Sequence, residues 1–160
     1  GMVNEAFESP VVNFKNLHVL TDYFQQAHMR TAGGQVRHII LSEEGFTSDS
    51  ISRGKVYDIQ TAAFAYAYYL VDNNPYIDAF ILNRQVDAIT EVETSCAFGL
   101  WTVDMSRPDK VIAVMPKNIY QVFKHIDTRK SLRYSEFAKS IVGISDWSEV
   151  IPGFDPEKYQ

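Results

Sequence analysis

The sequence predicts an α/β fold whose strands run parallel. The run Ile39-Ile40-Leu41 is apolar at consecutive positions, which indicates a strand covered on both faces, and residues 77–82 form a second short apolar run. Stretches with helical spacing alternate with these two runs. Such alternation is typical of a parallel α/β sheet.

The first half of the chain reads as an irregular lead-in, a helix, a strand and a loop. Residues 1–12 lack regular periodicity, and from Asn13 onward apolar residues recur at three- and four-residue spacing, which predicts a helix that ends at the glycine pair 33–34. A strand over 36–41 follows and closes with Ser42-Glu43-Glu44-Gly45. Residues 47–55 are polar and predict a loop.

The second half repeats the pattern once and then becomes mainly helical. An alanine-rich helix is predicted over 57–73, a strand over 77–82, and a polar excursion to about Thr94. Residues 98–103 suggest a short extended segment. Further helices are predicted from Pro116 to about Ile126 and from Tyr134 to Val142, before an irregular tail over 144–160. We treat residues 1–160 as one domain.

Composition excludes several classes of protein. The chain has a net charge of -5 and no stripe of lysine and arginine, so we expect no nucleic-acid partner. No apolar run approaches the roughly 20 residues of a membrane span. Gly1 before Met2 resembles a scar of tag removal, so a leader peptide can have been cut away and the compartment stays open.

Candidate chemistry lies where the two strands end, because parallel α/β folds bind ligands beyond the carboxyl ends of their strands. Glu43 and Glu44 follow the first strand, and Arg84 and Asp87 follow the second. Successive residues of an extended chain point to opposite faces, so only one of the two glutamates is expected to line a site. The plain alternative is a chain that becomes polar as it leaves the core, with Arg84 as an ion-pair partner of Glu43, Glu44 or Asp87.

Other polar and aromatic residues carry weaker predictions. Asp87 and the later acidic residues Glu91 and Glu93 read as solvated loop charges, with Asp87 the best site candidate of the three. Trp101 suits either a sugar-stacking face or the core. His38 reads as a buried imidazole and the single cysteine, Cys96, as a small buried residue. We find no metal-ligand spacing, phosphate-binding glycine loop or dinucleotide fingerprint, so no metal or cofactor is expected.

The segment Ser42-Glu43-Glu44-Gly45 resembles the seventh-strand signature of the large glycoside-hydrolase clan built on (β/α)8 barrels. Helix 57–73 with strand 77–80 is similar to that clan's seventh helix and eighth strand. Residues 98–101 and 116–126 resemble the segments that follow, and 14–154 resemble an uncharacterised bacterial family of the same superfamily. The resemblance implies the C-terminal strand–helix units of a TIM-type barrel, and a carbohydrate substrate. It also implies a retaining mechanism with Glu43 as nucleophile, and a secreted or periplasmic location is compatible with it. Glu44, Arg84, Asp87 and Trp101 would then support or bind the substrate.

Length limits what this resemblance implies. Eight strand–helix units need about 250 residues, about 30 each, and this chain shows two clear units. Retaining hydrolysis also needs a second carboxylate about 5–5.5 Å from the nucleophile, and no segment matches the clan's acid/base strand. We therefore expect self-association or a missing N-terminal half. The alternatives are a non-catalytic carbohydrate-binding or scaffolding relative, an inactive fragment, or an open doubly wound domain that binds a small ligand.

Overall fold

The computed structural model describes residues 2–160, which form five α-helices and six short strands. The strands are β1 (Ile39–Glu44), β2 (Asp49–Ser50), β3 (Gly54–Lys55), β4 (Ile77–Leu82), β5 (Trp101–Val103) and β6 (Ala113–Pro116). The α-helices are α1 (Leu17–Phe24), α2 (Tyr57–Asp72), α3 (Ile89–Val92), α4 (Asn118–His125) and α5 (Ser131–Val142). Short 3-10 turns at Phe14–Asn16, Ala27–Met29, Trp147–Glu149 and Pro156–Tyr159 complete the chain.

The parallel pair β1 and β4 confirms the predicted α/β class. Helix α2 connects the two strands, and Leu41 lies opposite Phe80 while Glu44 lies opposite Leu82. Residues 2–160 place only these two strands in the parallel sheet, so the structure is mixed α/β without a closed barrel.

The parallel sheet is covered on one face only, which corrects the prediction of a strand buried on both faces. Leu41 and Phe80 pack toward helices α1 and α2, whereas Ile40 is 61% exposed and Ile81 is 52% exposed on the opposite face. The consecutive apolar residues therefore lie on both faces of the sheet, one of which is buried and the other exposed. We call the exposed side, which carries Ile40, Ala79 and Ile81, the open face.

The main core lies on the covered side and is built by α2, α4 and α5. Tyr69 and Phe64 of α2 are completely or almost completely buried, as is Ile119 of α4. The alanines of α2 at positions 62, 65 and 67 are at most 1% exposed, and their small side chains let the neighbouring helices approach closely. The predicted buried helix is confirmed.

Several predicted element bounds were wrong, and antiparallel strand pairs were missed. Helix α1 ends at Phe24 rather than near Gly33, because residues 25–38 turn through a 3-10 segment and irregular chain. Pro116 ends strand β6, and α4 begins at Asn118. The antiparallel pair β5 and β6 was not predicted, since β6 is exposed along its whole length and lacks the alternation of a half-buried strand.

The tail after α5 has no α-helix or strand, yet it closes the core. Gly143 ends α5 in the left-handed conformation with φ 85°, a position that glycine occupies without strain. Beyond it, Trp147, Ile151 and Tyr159 are each buried against α2 or its neighbours. The buried residues of this tail do not recur at a regular spacing, so the sequence pattern did not predict their burial.

Candidate functional site

The carboxyl ends of β1 and β4 lie side by side and are joined by the backbone. The amide of Asn83 donates to the carbonyl of Glu44 at 2.7 Å. Gly45 follows at once, and a Cβ at this position would come within 2.8 Å of the Asn83 carbonyl. The close approach of these two chains explains the glycine and places residues 42–45 against residues 83–84.

A bulge decides where Glu43 lies. Three residue steps on β1, from Leu41 to Glu44, span two on β4, from Phe80 to Leu82. Ser42 and Glu43 are both exposed, and Glu44 returns to the partly buried side that Leu41 occupies. Bulges of this kind redirect a side chain. Glu43 therefore lies on the outward side with Ser42, and its side chain makes no hydrogen bond or ion pair within residues 2–160.

Glu44 differs from its neighbour in environment. Its side chain is half-buried on the covered side, and burial raises its pKa above the usual 4.5. We predicted that only one of the two glutamates lines a site, and their side chains do lie on different sides of the sheet. The bulge, rather than simple alternation along the strand, causes this difference.

Arg84 follows β4 directly and does not pair with any of its three expected partners. Its guanidinium donates to Glu91 Oε1 at 2.8 Å and to Asn83 Oδ1 at 3.1 Å. The Asn83–Arg84 peptide bond is cis. Glu91 is thus an ion-pair partner rather than a solvated loop charge, because the short helix α3 turns it back toward the strand end.

Asp87 is buried, which corrects its interpretation as a solvated loop charge. Its side chain is 4% exposed, and its Oδ1 accepts from Lys117 Nζ at 2.6 Å and from the Gly99 amide at 2.6 Å. A side chain at Gly99 would overlap the Asp87 backbone and come within 2.6 Å of the Val86 carbonyl carbon. These contacts give Asp87 a structural role in fixing residues 97–100.

Lys117 is the residue that sequence reasoning missed. Its ammonium donates to Asp87, to Ser48 Oγ at 2.9 Å and to the Ala97 carbonyl at 3.1 Å, which uses its three N–H groups. Burial lowers the pKa of Lys117, and the Asp87 carboxylate opposes that shift. Lys117 thus ties the loop after β1 to the loop after β4. A lysine just before a helix has no sequence signature of burial.

Trp101 and Arg84 share a cavity of about 300 Å³ at the end of β4. Leu82, Gln85, Leu100, Tyr120 and Phe123 complete its lining. Trp101 is half-buried and meets Tyr120 edge-on, with ring centroids 5.3 Å apart. Aromatic walls with a few polar groups at the rim are typical of ligand pockets, and this cavity is at the small end of their size range. Glu43 does not line it.

A larger groove of about 540 Å³ lies along β4, between α2 and α4. Its walls include Phe64, Tyr68 and Phe80, and it runs along the strand from Ile77 to Leu82. Parallel α/β folds bind ligands at the carboxyl ends of strands. We therefore place the candidate site at Glu43, Arg84 and Trp101 rather than in this groove.

The remaining singled-out residues have local partners. His38 is exposed, not buried as expected, and lies 2.7 Å from Asp78 Oδ1. Cys96 is partly exposed rather than buried. Within residues 2–160, no group of three potential metal ligands occurs. In the same part of the chain, no helix has the length and apolar character needed to cross a membrane.

Comparison with known proteins identifies the family. The family described as "Family of unknown function (DUF5722)" matches residues 1–150. The chain belongs to this family. The DUF5722 match covers both strand ends, Lys117 and all five helices, and it stops before the buried Ile151 and Tyr159. No curated protein and no solved structure matches the chain.

Proposed function

We propose that this DUF5722 domain acts on carbohydrate, with Glu43 as the nucleophile of a retaining glycoside hydrolase. The observation that carries the proposal is the position of Glu43. It is an exposed, unpaired carboxylate on a bulge at the carboxyl end of a parallel strand, beside the end of β4. Arg84 follows that strand end and shares a cavity with Trp101 of β5. The resemblance of Ser42-Glu43-Glu44-Gly45 to the clan's seventh strand agrees with this position.

In the proposed reaction, a carboxylate oxygen of Glu43 attacks the anomeric carbon as the glycosidic bond breaks. An acid donates a proton to the departing oxygen, and water later releases the sugar from the glutamyl ester. We propose no residue of this chain as the acid. Glu91, which contacts the cavity-lining Arg84, is held in an ion pair with it. We therefore propose that the barrel and the acid are completed by further polypeptide.

The absence of an assigned acid shapes the experiment. An aryl glycoside with a strongly acidic phenol as leaving group needs little proton donation, so the nucleophile can be assayed alone. We expect slow turnover of such substrates by the purified chain and a loss of roughly 10³-fold or more in Glu43→Gln. Glu8→Gln, also an exposed carboxylate, is the matched control. Equal turnover by Glu43→Gln would contradict the nucleophile assignment.

A second candidate is carbohydrate binding without hydrolysis. The observation that favours it is the cavity of Arg84 and Trp101, which has an aromatic wall and which Glu43 does not line. Here Trp101→Ala should weaken binding of oligosaccharides by about tenfold, whereas Phe137→Ala, an exposed aromatic residue on α5, should not change it. Titration calorimetry with a panel of oligosaccharides measures both. Binding that survives Trp101→Ala unchanged would remove this candidate.

A further inference from the structure

The free edge of β1 has features of a strand that pairs with another strand. Within residues 2–160, β4 is the only strand hydrogen-bonded to β1, so the other edge of β1 presents unpaired backbone groups. Such an edge is a template for strand addition unless it is shielded. Ile40, 61% exposed, stands in the middle of this edge strand where a charge would normally discourage pairing.

The exposed surface area of this chain is larger than that of a typical monomer of the same mass. The chain exposes 9484 Å², whereas a monomeric protein of 18.2 kDa exposes about 8,100 Å². The excess of about 1,400 Å² exceeds the roughly 800 Å² that each partner contributes to an interface of standard size. The excess is therefore large enough to include one such interface.

Charge along the edge identifies the partner. The segment reads Arg37-His38 at its amino end, Ile40 at its centre and Glu43-Glu44 at its carboxyl end. An antiparallel copy of the same strand brings the basic end of each chain against the acidic end of the other. We propose that two copies of this chain pair through β1 in antiparallel orientation, about a two-fold axis at Ile40.

The register follows from the bulge. With Ile40 opposite Ile40 of the second copy, Ile39 lies opposite Leu41, and both face the helices. Arg37 and His38 immediately precede β1, and in the isolated chain the Arg37 Nε donates to the Met29 carbonyl at 3.0 Å. If the pairing continues past Ile39 in extended chain, the extra residue at Ser42 and Glu43 brings His38 opposite Glu43 and Arg37 opposite Glu44. In a regular strand these residues would lie on different faces of the sheet. The bulge, by returning Glu44 to the side of Leu41, makes each charge pair fall on one face.

The inference does not rest on the proposed function. It is compatible with Glu43 as nucleophile, but a dimer paired through β1 and a completed barrel need the same free edge and exclude each other. A carboxylate has two oxygens, so an imidazole beside Glu43 leaves one of them free for a substrate. In the isolated chain His38 lies against Asp78 at exposed positions, where it is accessible to a second copy.

The first test is the mass of the purified chain in solution by sedimentation equilibrium. We expect twice 18.2 kDa for the natural sequence, and the monomer mass for Ile40→Lys, which sets two like charges against each other on the axis. Ile81→Lys is the matched control, since Ile81 is exposed on the same open face but belongs to β4. It should stay dimeric. Circular dichroism confirms that each variant is folded. The proposal would be overturned by a natural chain that is monomeric at about 100 μM, or by a dimer that survives Ile40→Lys.

The second test fixes the register. In a Cys96→Ser background, Ile40→Cys should form a disulfide between copies under mild oxidation, because residues that face each other across an antiparallel pair have Cβ atoms about 4.5–5.5 Å apart. Ile81→Cys should not. Reversal of charge adds a further check, since Arg37→Glu should weaken the dimer and Arg37→Glu with Glu44→Arg should restore it. Equal cross-linking at residues 40 and 81, or no rescue by the double variant, would contradict this register.

Discussion

At the scale of single residues, the buried ion pair of Asp87 and Lys117 is the main contact that holds together the loops after β1 and β4. Asp87→Asn removes the charge that Lys117 faces at 2.6 Å and leaves an ammonium buried with only neutral partners. Breaking a buried pair in this way costs about 3–5 kcal/mol. We expect that loss in the free energy of unfolding measured with urea. Asp109→Asn, which faces Arg107 at 3.7 Å on the surface, should change it by less than about 1 kcal/mol. A similar small effect for Asp87→Asn would show that the pair is dispensable.

Gly99 is a residue whose missing side chain matters. An added Cβ would overlap the backbone of Val86 and Asp87, which cannot move without disturbing the buried pair. Gly99→Ala should therefore destabilise the fold by about 1–3 kcal/mol or more, as overpacking does. Gly33→Ala is the control, because its nearest neighbour would be Thr31 Oγ1 at 3.8 Å. Thermal unfolding of the two variants separates them, and equal midpoints would contradict the close packing.

Glu44 gives the site a dependence on pH. Burial raises its pKa in the folded protein, so between the usual 4.5 and the raised value the folded chain binds more protons than the unfolded chain. This residue's contribution to stability is therefore present at low pH and is lost as pH rises through the folded pKa. In the monomeric Ile40→Lys background, where no second copy supplies Arg37, Glu44→Gln should raise the free energy of unfolding at pH 7, and the difference should vanish below about pH 4.5. Urea unfolding at both pH values measures it. An advantage that grows as pH falls would mean that a favourable partner, rather than burial, controls Glu44.

At the scale of elements, the C-terminal turn is a clamp on helix α2. The Tyr159 hydroxyl donates to Asp72 Oδ2 at 2.6 Å and accepts from Asn73 at 2.9 Å, and burial is the main reason that its pKa is raised. Tyr159→Phe should cost about 1.5–3 kcal/mol, as expected for a hydrogen bond to a charged group. Tyr134→Phe, whose ring stacks on His125 near the surface, should stay within about 0.5 kcal/mol. Equal unfolding free energies for both variants would contradict the clamp.

The elements also show which parts of the fold were open to sequence reasoning. Helix α2 and strands β1 and β4 were predicted because apolar runs and stop signals specify them locally. The burial of Asp87, Lys117 and Trp147 was not, because each depends on residues at least 20 positions distant in sequence. The position of Glu43 at a strand end was predicted. Its side of the sheet was not, because a bulge between paired strands has no signal in one strand's sequence.

At the scale of the whole molecule, the open face and the free edges of β1 and β4 bear on both the glycosidase proposal and the dimer proposal. A parallel sheet of two strands covered on one side leaves Ile40 and Ile81 exposed, and both a completed barrel and a second copy would cover such surface. The two coverings compete for the free edge of β1. A dimer through β1 covers one edge, whereas a completed barrel encloses the open face and pairs both edges. Sedimentation reports the dimer and the glycosidase assay reports the nucleophile, so the failure of one proposal is distinguishable from the failure of the other.

The chemical identity of the nucleophile has the most direct test in a covalent trap. Glycosyl fluorides with fluorine at C2 lose fluoride without help from an acid, and the fluorine at C2 slows release of the sugar, so a carboxylate nucleophile accumulates as a glycosyl ester. We expect the intact mass of the chain to rise by one fluorosugar with at least one member of a panel of hexosyl and pentosyl fluorides. Peptide mapping should place the added mass on Glu43, and Glu43→Gln should acquire none. An adduct on another carboxylate, or equal labelling of Glu43→Gln, would contradict the assignment of Glu43.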